Sequence, residues 1–179
     1  MFKHIVDNDI EIRIREVRHS NEIFSLIDKE RDHLRKWMAW VDDTKEVADV
    51  ERSTKAMLQQ YIDDVGFSAS IWYKGKLAGI VSLMGISWKH KSTSIGYWLG
   101  TEFTGKGIMT KVCRDIIDYA FNELDLHRVE IQCAEGNVKS RAIPERLGFI
   151  EEGKVRESEY LYDHYVTHIV YGMLRSEWK

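Results

Sequence analysis

The sequence predicts a mixed α/β fold built on one β-sheet. Three patterns carry that expectation. Short runs with strand alternation or continuous apolarity recur from residue 10 to residue 174. Two helical patterns separate the first strand from the next three, and two more fall between later strands. The resulting order is β-α-α-β-β-β-α-β-α-β-β, which suits helices covering a single sheet. A chain of 179 residues, 44% hydrophobic and 31% charged, reads as one domain over residues 1–179. It is long enough to bury a core without disulfides or a structural metal.

Each element has its own signal. Ile10, Ile12 and Ile14 alternate with Glu11, Arg13 and Arg15, the period of a half-buried strand. Ser20 reads as a helix cap. Ile23, Phe24, Ile27, Leu34 and Trp37 then give the inward face of a helix with a break near His33. Residues 46–64 read as a second helix with Val47, Val50, Met57, Leu58 and Tyr61 on its apolar side, ended by Gly66. A strand over 67–73 closes on the Lys74-Gly75 turn, and 77–86 has the near-continuous apolarity of a central strand. Lys89-His90-Lys91 turns the chain into a strand over 93–99, with Ile95, Tyr97 and Leu99 on one face. After the bend Thr104-Gly105-Lys106-Gly107 comes a helix carrying Met109, Val112, Cys113, Ile116, Ala120 and Leu124 at helical spacing. Residues 128–134 form a strand, Asn137 caps a short helix that stops before Gly148, and 149–156 and 165–174 are the closing strands.

Composition narrows the function. Twenty-six basic residues against 29 acidic ones leave a net charge of −3 with no basic stripe, unlike a nucleic-acid binder. Cys113 and Cys133 form no CxxC and do not cluster with the seven histidines, so neither a zinc site nor a disulfide framework is expected. A reduced, cytoplasmic protein fits that usage. The start, Met1-Phe2-Lys3-His4-Ile5-Val6-Asp7, lacks the apolar run of a signal peptide, and the longest apolar-rich stretch, 78–86, is too short to span a membrane.

Two segments point to chemistry. Strand, glycine bend and helix, over 94–108, make a potential anion cradle. Glycines admit close backbone approach, and a helix start presents unpaired amides and a positive dipole end. Lys106 and Lys111 flank it. It is not a P-loop, and Thr110 stands where a dinucleotide fingerprint would need its third glycine. An ordinary helix entry fits the same residues, so both readings stay open on this segment alone. Thirty residues on, Asn137 and Gly148 bracket a short helix and read locally as its cap and stop.

Thr104-Gly105-Lys106-Gly107 after an apolar strand, Asn137 with Ser140, and Leu147-Gly148-Phe149 occur here in one order and spacing. Together they resemble the GCN5-related N-acetyltransferase superfamily. Trp37-Met38-Ala39-Trp40 and Ile95-Gly96-Tyr97-Trp98-Leu99 resemble, more narrowly, its ribosomal-protein serine and alanine acetyltransferases. The resemblance spans nearly the whole chain. It implies a mostly antiparallel twisted sheet with helices on both faces, acetyl-coenzyme A as cosubstrate, and acetyl transfer to a primary amine without a covalent enzyme intermediate. The best acceptor is a protein N-terminus, possibly ribosomal. A polyamine or other small amine is the alternative within the enzyme class, and a non-catalytic acyl-coenzyme A sensor is the alternative outside it. A homodimer is a further expectation, from apolar strands near the C-terminus and from relatives.

The same resemblance assigns residues. The pyrophosphate would lie on the amides of Gly105, Lys106, Gly107, Ile108, Met109 and Thr110, with the Thr110 hydroxyl in reach. The pantetheine arm would pair with the backbone of Tyr97, Trp98 and Leu99, and Asn137 would meet the cofactor further along. The superfamily's usual tyrosine acid falls at Pro144, which has no proton to give, and Ser140 matches the serine proposed instead in the ribosomal branch. Glu102 stands where many members carry glutamine or arginine. Glu159, before Tyr160, matches the branch's base, with Glu130 and Glu135 in reserve and Glu157 on the same face if this is a strand. Trp37 and Trp40, more so Trp40, would line the acceptor groove. Independently of the resemblance, Pro144 cannot bond to the carbonyl of Ser140, its ring pushes on that carbonyl, and the helix should kink there.

Overall fold

The computed structural model describes residues 3–179; Met1 and Phe2, the start of the N-terminal stretch read above, lie outside the described residues. Its centre is one eight-stranded sheet. The strands are β1 (Lys3–Ile5), β2 (Ile10–Ile14), β3 (Gly66–Tyr73), β4 (Lys76–Ser87), β5 (Ser92–Leu99), β6 (Arg128–Ala134), β7 (Ile150–Leu161) and β8 (His164–Leu174). They lie in the order β1-β2-β3-β4-β5-β6-β8-β7. Every neighbouring pair is antiparallel except β5 and β6. The five helices are α1 (Ser20–Lys29), α2 (Arg31–Leu34), α3 (Val47–Ile62), α4 (Ile108–Asn122) and α5 (Val138–Arg146).

The helices divide between the two faces. Val81 and Ile95 join Ile108, Val112, Ile116 and Ile117 of α4 in the larger core, which extends through Ile131, Ile169 and Tyr171. Ile80 belongs instead to a second cluster with Ile23, Ile27, Leu34, Val41 and Val50, against which Trp40 and Trp98 pack. Side chains alternate along a strand, so Ile80 and Val81 mark opposite faces: α1, α2 and α3 cover one, α4 and α5 the other. The mixed, mostly antiparallel sheet with helices on both faces is therefore as expected.

The differences are local. β1 is three residues long and exposed, too short for alternation to reveal. The break between α1 and α2 falls at Glu30, not near His33. The Glu30 side chain is buried and accepts a hydrogen bond from the Thr101 hydroxyl at 3.0 Å, which ties this break to the segment leading into the glycine bend. Ser20 begins α1 rather than capping it, and its buried hydroxyl has no partner among the described residues. α3 is capped by Glu46 and Asp49, each side chain accepting from the other's end of the turn. Tyr61 of α3 is exposed, while Thr54 is the buried partner of Val50. β7 and β8 form a longer hairpin than expected, running to Leu161 and from His164. It contains a bulge in which residues 156–158 stand opposite Thr167 alone. Glu157, in that bulge at φ +51°, does not continue the alternation that would group it with Glu159.

Candidate active site

β5 and β6 pair only over Ser92↔Arg128, Thr93↔Val129 and Ser94↔Glu130, and beyond these the two parallel strands separate. β5 meanwhile stays paired with β4 through Val81↔Tyr97, Ile80↔Trp98 and Gly79↔Leu99. Gly100 N–H donates to the Ala78 carbonyl at 2.9 Å, so by alternation Tyr97 and Leu99 turn their backbone groups toward the β6 side. Trp98 turns its carbonyl toward Gly79 of β4. Two of the three β5 residues expected to pair with an extended ligand thus present free backbone to the cleft. Trp98 presents its ring on the other face.

At the end of β5 the chain passes through Thr104 into the bend. Gly105 and Gly107 have φ of +75° and +73°, and a Cβ at either would meet nothing within 4 Å. The glycines are needed for their backbone conformation, which costs other residues about 1–2 kcal/mol, and the space beside them is open. α4 begins at Ile108 with no side-chain cap on its first-turn amides. Those amides and the dipole they terminate suit an anion. Ile108 and Met109 bury their side chains, leaving only their N–H groups for this role, and Lys106 contributes from an exposed position.

The flanking side chains have partners of their own. Lys111 pairs with Asp7 at 2.7 Å, and Lys106 holds its ammonium over the rings of Tyr73 and Phe103 at 5.5 and 5.7 Å. Glu102 pairs with Lys29 at 2.5 Å. The Thr110 hydroxyl accepts from Arg146 at 2.8 Å, which brings a guanidinium from the end of α5 to the first turn of α4. Sequence reasoning missed Arg146. Its position near the helix end that faces the bend was the available signal.

α5 crosses Pro144 as one helix, with Asn137 as its cap. The Asn137 side chain accepts from Ser140 N–H at 3.3 Å. Arg141 anchors the helix by donating to the Tyr171 hydroxyl at 2.9 Å, and that hydroxyl donates to Glu145 at 2.8 Å. The Ser140 hydroxyl lies 3.2 Å from the sulfur of Cys133 at the open end of β6. Cys113 is wholly buried, and burial pushes both thiols up, away from the reactive thiolate. Both cysteines pack into the larger core, and Cys133 also touches Ser140.

Distant segments meet beside β5 and β6. Trp37 packs its ring 3.6 Å from the position of a Cβ on Gly136, just past β6. Trp40 meets Trp98 with ring centroids 6.2 Å apart. Tyr162, at the hairpin tip, donates to the Met38 carbonyl at 2.7 Å and carries the Arg35 guanidinium 3.8 Å above its ring. Glu159 lies on β7, half-buried, with His168 of β8 at 3.0 Å, and His168 stands opposite Ala134. The two reserve acids are engaged elsewhere: Glu130 with Arg128 at 3.0 Å, and Glu135 with Lys154. His168 and Tyr162 had no sequence signal, because their roles come from the hairpin register. Among the described residues no cluster of three or more His, Cys, Asp or Glu side chains could hold a metal, and no helix is long and apolar enough to cross a membrane.

A cleft between two splayed parallel strands, with free backbone on one side and an uncapped helix start behind glycines at its end, is a site for a long acyl carrier ending in phosphates. This is the architecture of an acyl-transferring enzyme. The chain matches the family described as the acetyltransferase (GNAT) domain over residues 11–150. It therefore belongs to the GNAT acetyltransferases, which move acetyl from acetyl-coenzyme A to an amine. It is 40% identical over 181 residues to a putative ribosomal N-acetyltransferase of Bacillus subtilis (strain 168), covering 100% of this chain and 98% of that one. Among solved structures it superposes on a probable acetyltransferase at a TM-score of 0.95, with 38% identity and 99% of both chains covered. The microcin C7 self-immunity acetyltransferase MccE, solved in complex with acetyl-CoA and AMP, aligns at a TM-score of 0.90 with 28% identity over 94% of each chain.

Proposed function

We propose that this acetyltransferase modifies the N-terminal α-amine of a protein, with a ribosomal protein as the leading candidate and the cytoplasm as the place of action. The observation that carries the choice of acceptor is the make-up of the groove beside the cleft. Trp37, Trp40 and Trp98 would supply its aromatic residues, and two acids of the flanking segments are paired with cations: Asp42 with Arg35 at 2.9 Å, and Glu135 with Lys154. A polyamine, with several positive charges, calls for unmatched carboxylates. A peptide N-terminus brings one amine and an apolar or polar chain behind it. The similarity to the Bacillus relative points the same way.

The residues present fit the cosubstrate. The amides of Gly105, Lys106, Gly107, Ile108, Met109 and Thr110, with Arg146 beside them, would hold its phosphates. The outward backbone of Tyr97 and Leu99 would pair with its extended arm, and Asn137 would line the arm's far side. When bound, acetyl-coenzyme A supplies the activated acetyl group that the amine attacks. Glu159 takes the proton that the ammonium must lose, and His168 fixes the orientation of that carboxylate. Because an α-amine titrates at about 7.7–8.0, the base has little to do compared with a lysine acetyltransferase. The free N–H of Leu99 offers a donor to negative charge growing on the carbonyl oxygen. Ser140 donates a hydrogen bond to the departing sulfur and relays to it the proton that the attacking nitrogen loses as the amide forms, so its hydroxyl ends as it began, in place of the tyrosine that Pro144 displaces.

The test is thiol release from acetyl-coenzyme A with peptides beginning Ser, Ala, Met or Thr, alongside spermidine. Release with one peptide class is expected. Release with spermidine alone would overturn the acceptor assignment, and no release with any acceptor despite tight cofactor binding would favour the sensor reading. Replacing Ser140 with alanine should lower kcat with little change in the KM for acetyl-coenzyme A, whereas an unaltered kcat would remove Ser140 from the mechanism.

A further inference from the structure

Every polar group of Ser140 is held from a different direction. Its N–H is accepted by Asn137, and its hydroxyl lies 3.2 Å from the Cys133 sulfur. Its carbonyl should bond to the N–H four residues on, but that residue is Pro144, which has none. A part-buried carbonyl deprived of its donor carries a cost. The missing donor is supplied from outside the helix: the Tyr97 hydroxyl, on β5, donates to the Ser140 carbonyl at 3.0 Å. The same hydroxyl is 3.9 Å from the Cys133 sulfur. Tyr97 is thus the side chain that links the open end of β5 to the first turn of α5 and to the end of β6.

We propose that Tyr97 is a positioning residue. Its hydroxyl takes over the hydrogen bond that Pro144 deletes and so fixes the Ser140 hydroxyl at the mouth of the β5–β6 cleft. This rests on the reading of Ser140 as the group that meets the departing sulfur. It gives Tyr97 a role beyond its backbone pairing, and it makes Tyr97 and Pro144 an interdependent pair. A tyrosine hydroxyl serves this purpose because it bridges two elements, whereas a helical N–H would satisfy the carbonyl without tying α5 to the strand. Burial pushes the Tyr97 phenol well above its ordinary value, so it remains a donor across the working range of the enzyme.

The interdependence is the test. Tyr97→Phe keeps the ring and removes only the donor. It should lower kcat about tenfold through misplacement of Ser140, with the KM for acetyl-coenzyme A changed by less than about twofold. Pro144→Ala restores a backbone donor to the Ser140 carbonyl. In that background Tyr97→Phe should cost less than about threefold, a coupling of the kind expected for groups sharing one partner. In a Ser140→Ala background Tyr97→Phe should lower kcat no further. Equal losses in the wild-type and Pro144→Ala backgrounds, or a continued loss without the Ser140 hydroxyl, would overturn the proposal. Ser140→Ala alone decides the Ser140 reading separately. Should that variant keep full kcat, the Tyr97–Pro144 coupling measured as a change in Tm still reports whether the phenol holds the helix turn, and its absence would also overturn the proposal. Circular dichroism of each variant establishes that the fold is retained.

Discussion

The two walls of the cleft are made of different materials. On the donor side, the structure offers backbone: the outward groups of Tyr97 and Leu99, two glycines at positive φ, and the first amides of α4. Nearby side chains are mostly directed elsewhere, as Lys111 is toward Asp7. On the side proposed for the acceptor, the groups are side chains: Trp37, Trp40, Trp98, Tyr162, and the Glu159–His168 pair. A backbone wall recognises what every acetyl-coenzyme A shares and tolerates surface substitution. A side-chain wall can change its acceptor by changing a few residues. On the proposed reading, a substitution on the first side acts through the cosubstrate and one on the second through the acceptor.

Substitutions that affect one wall only would sharpen this contrast. The largest effect is expected from Glu159→Gln, which should cut kcat about tenfold near neutral pH, where only about a tenth of an α-amine is neutral unaided. The loss should shrink as the pH rises past the acceptor amine's own value of about 7.7–8.0, where the substrate arrives already neutral. A pH–rate profile checks it, and a loss that is constant with pH would exclude the role. Next comes Gly107→Ala, whose strained backbone should raise the KM for acetyl-coenzyme A about tenfold, read from initial rates. The acceptor KM should hardly move, and equal changes in both constants would break the division between the walls. Trp40→Ala should do the reverse: a severalfold rise in peptide KM, measured at saturating acetyl-coenzyme A, from the loss of aromatic contact area.

The smallest effect is expected from Lys111→Ala, which should leave both KM values unchanged because Lys111 faces Asp7. The hydrogen bond from Lys111 holds the Asp7 carboxyl below its ordinary value. A carboxyl lowered by folding stabilises the protein above its unfolded value and loses that contribution as pH falls through the folded one. The Tm difference between wild type and Lys111→Ala should therefore be small at neutral pH and disappear in acid.

The same division decides what could be read from the sequence. The donor wall is local. Its glycines, the amphipathic α4 and the Asn137 cap lie within short windows, and the bend and the cap were both placed correctly. Backbone polarity around Tyr97–Leu99 needed only strand alternation and the β4 register to resolve which residues face the cleft. The acceptor wall was legible only as residue types. Trp37 and Trp40 could be suspected, but the Glu159–His168 pair depends on a bulge that inserts residues opposite Thr167, and a bulge leaves no periodic trace. Arg146 on Thr110 and Tyr97 on Ser140 are contacts across 36 and 43 positions, set by how α5 docks rather than by spacing.

The bond from Tyr162 to Met38 joins residues 124 positions apart, whereas Asn137 and Ser140 are separated by three. Closing the longer loop costs more chain entropy, and its closure waits for the last hairpin to be made. On chain entropy alone, then, the turn around Asn137 is expected to form before the hairpin tip docks on Met38. Pulse-labelled hydrogen exchange during refolding should show the amides of α5 protected ahead of those at the hairpin tip. A chain protected in that order would have the turn that holds Ser140 in place while Tyr162 had yet to reach Met38.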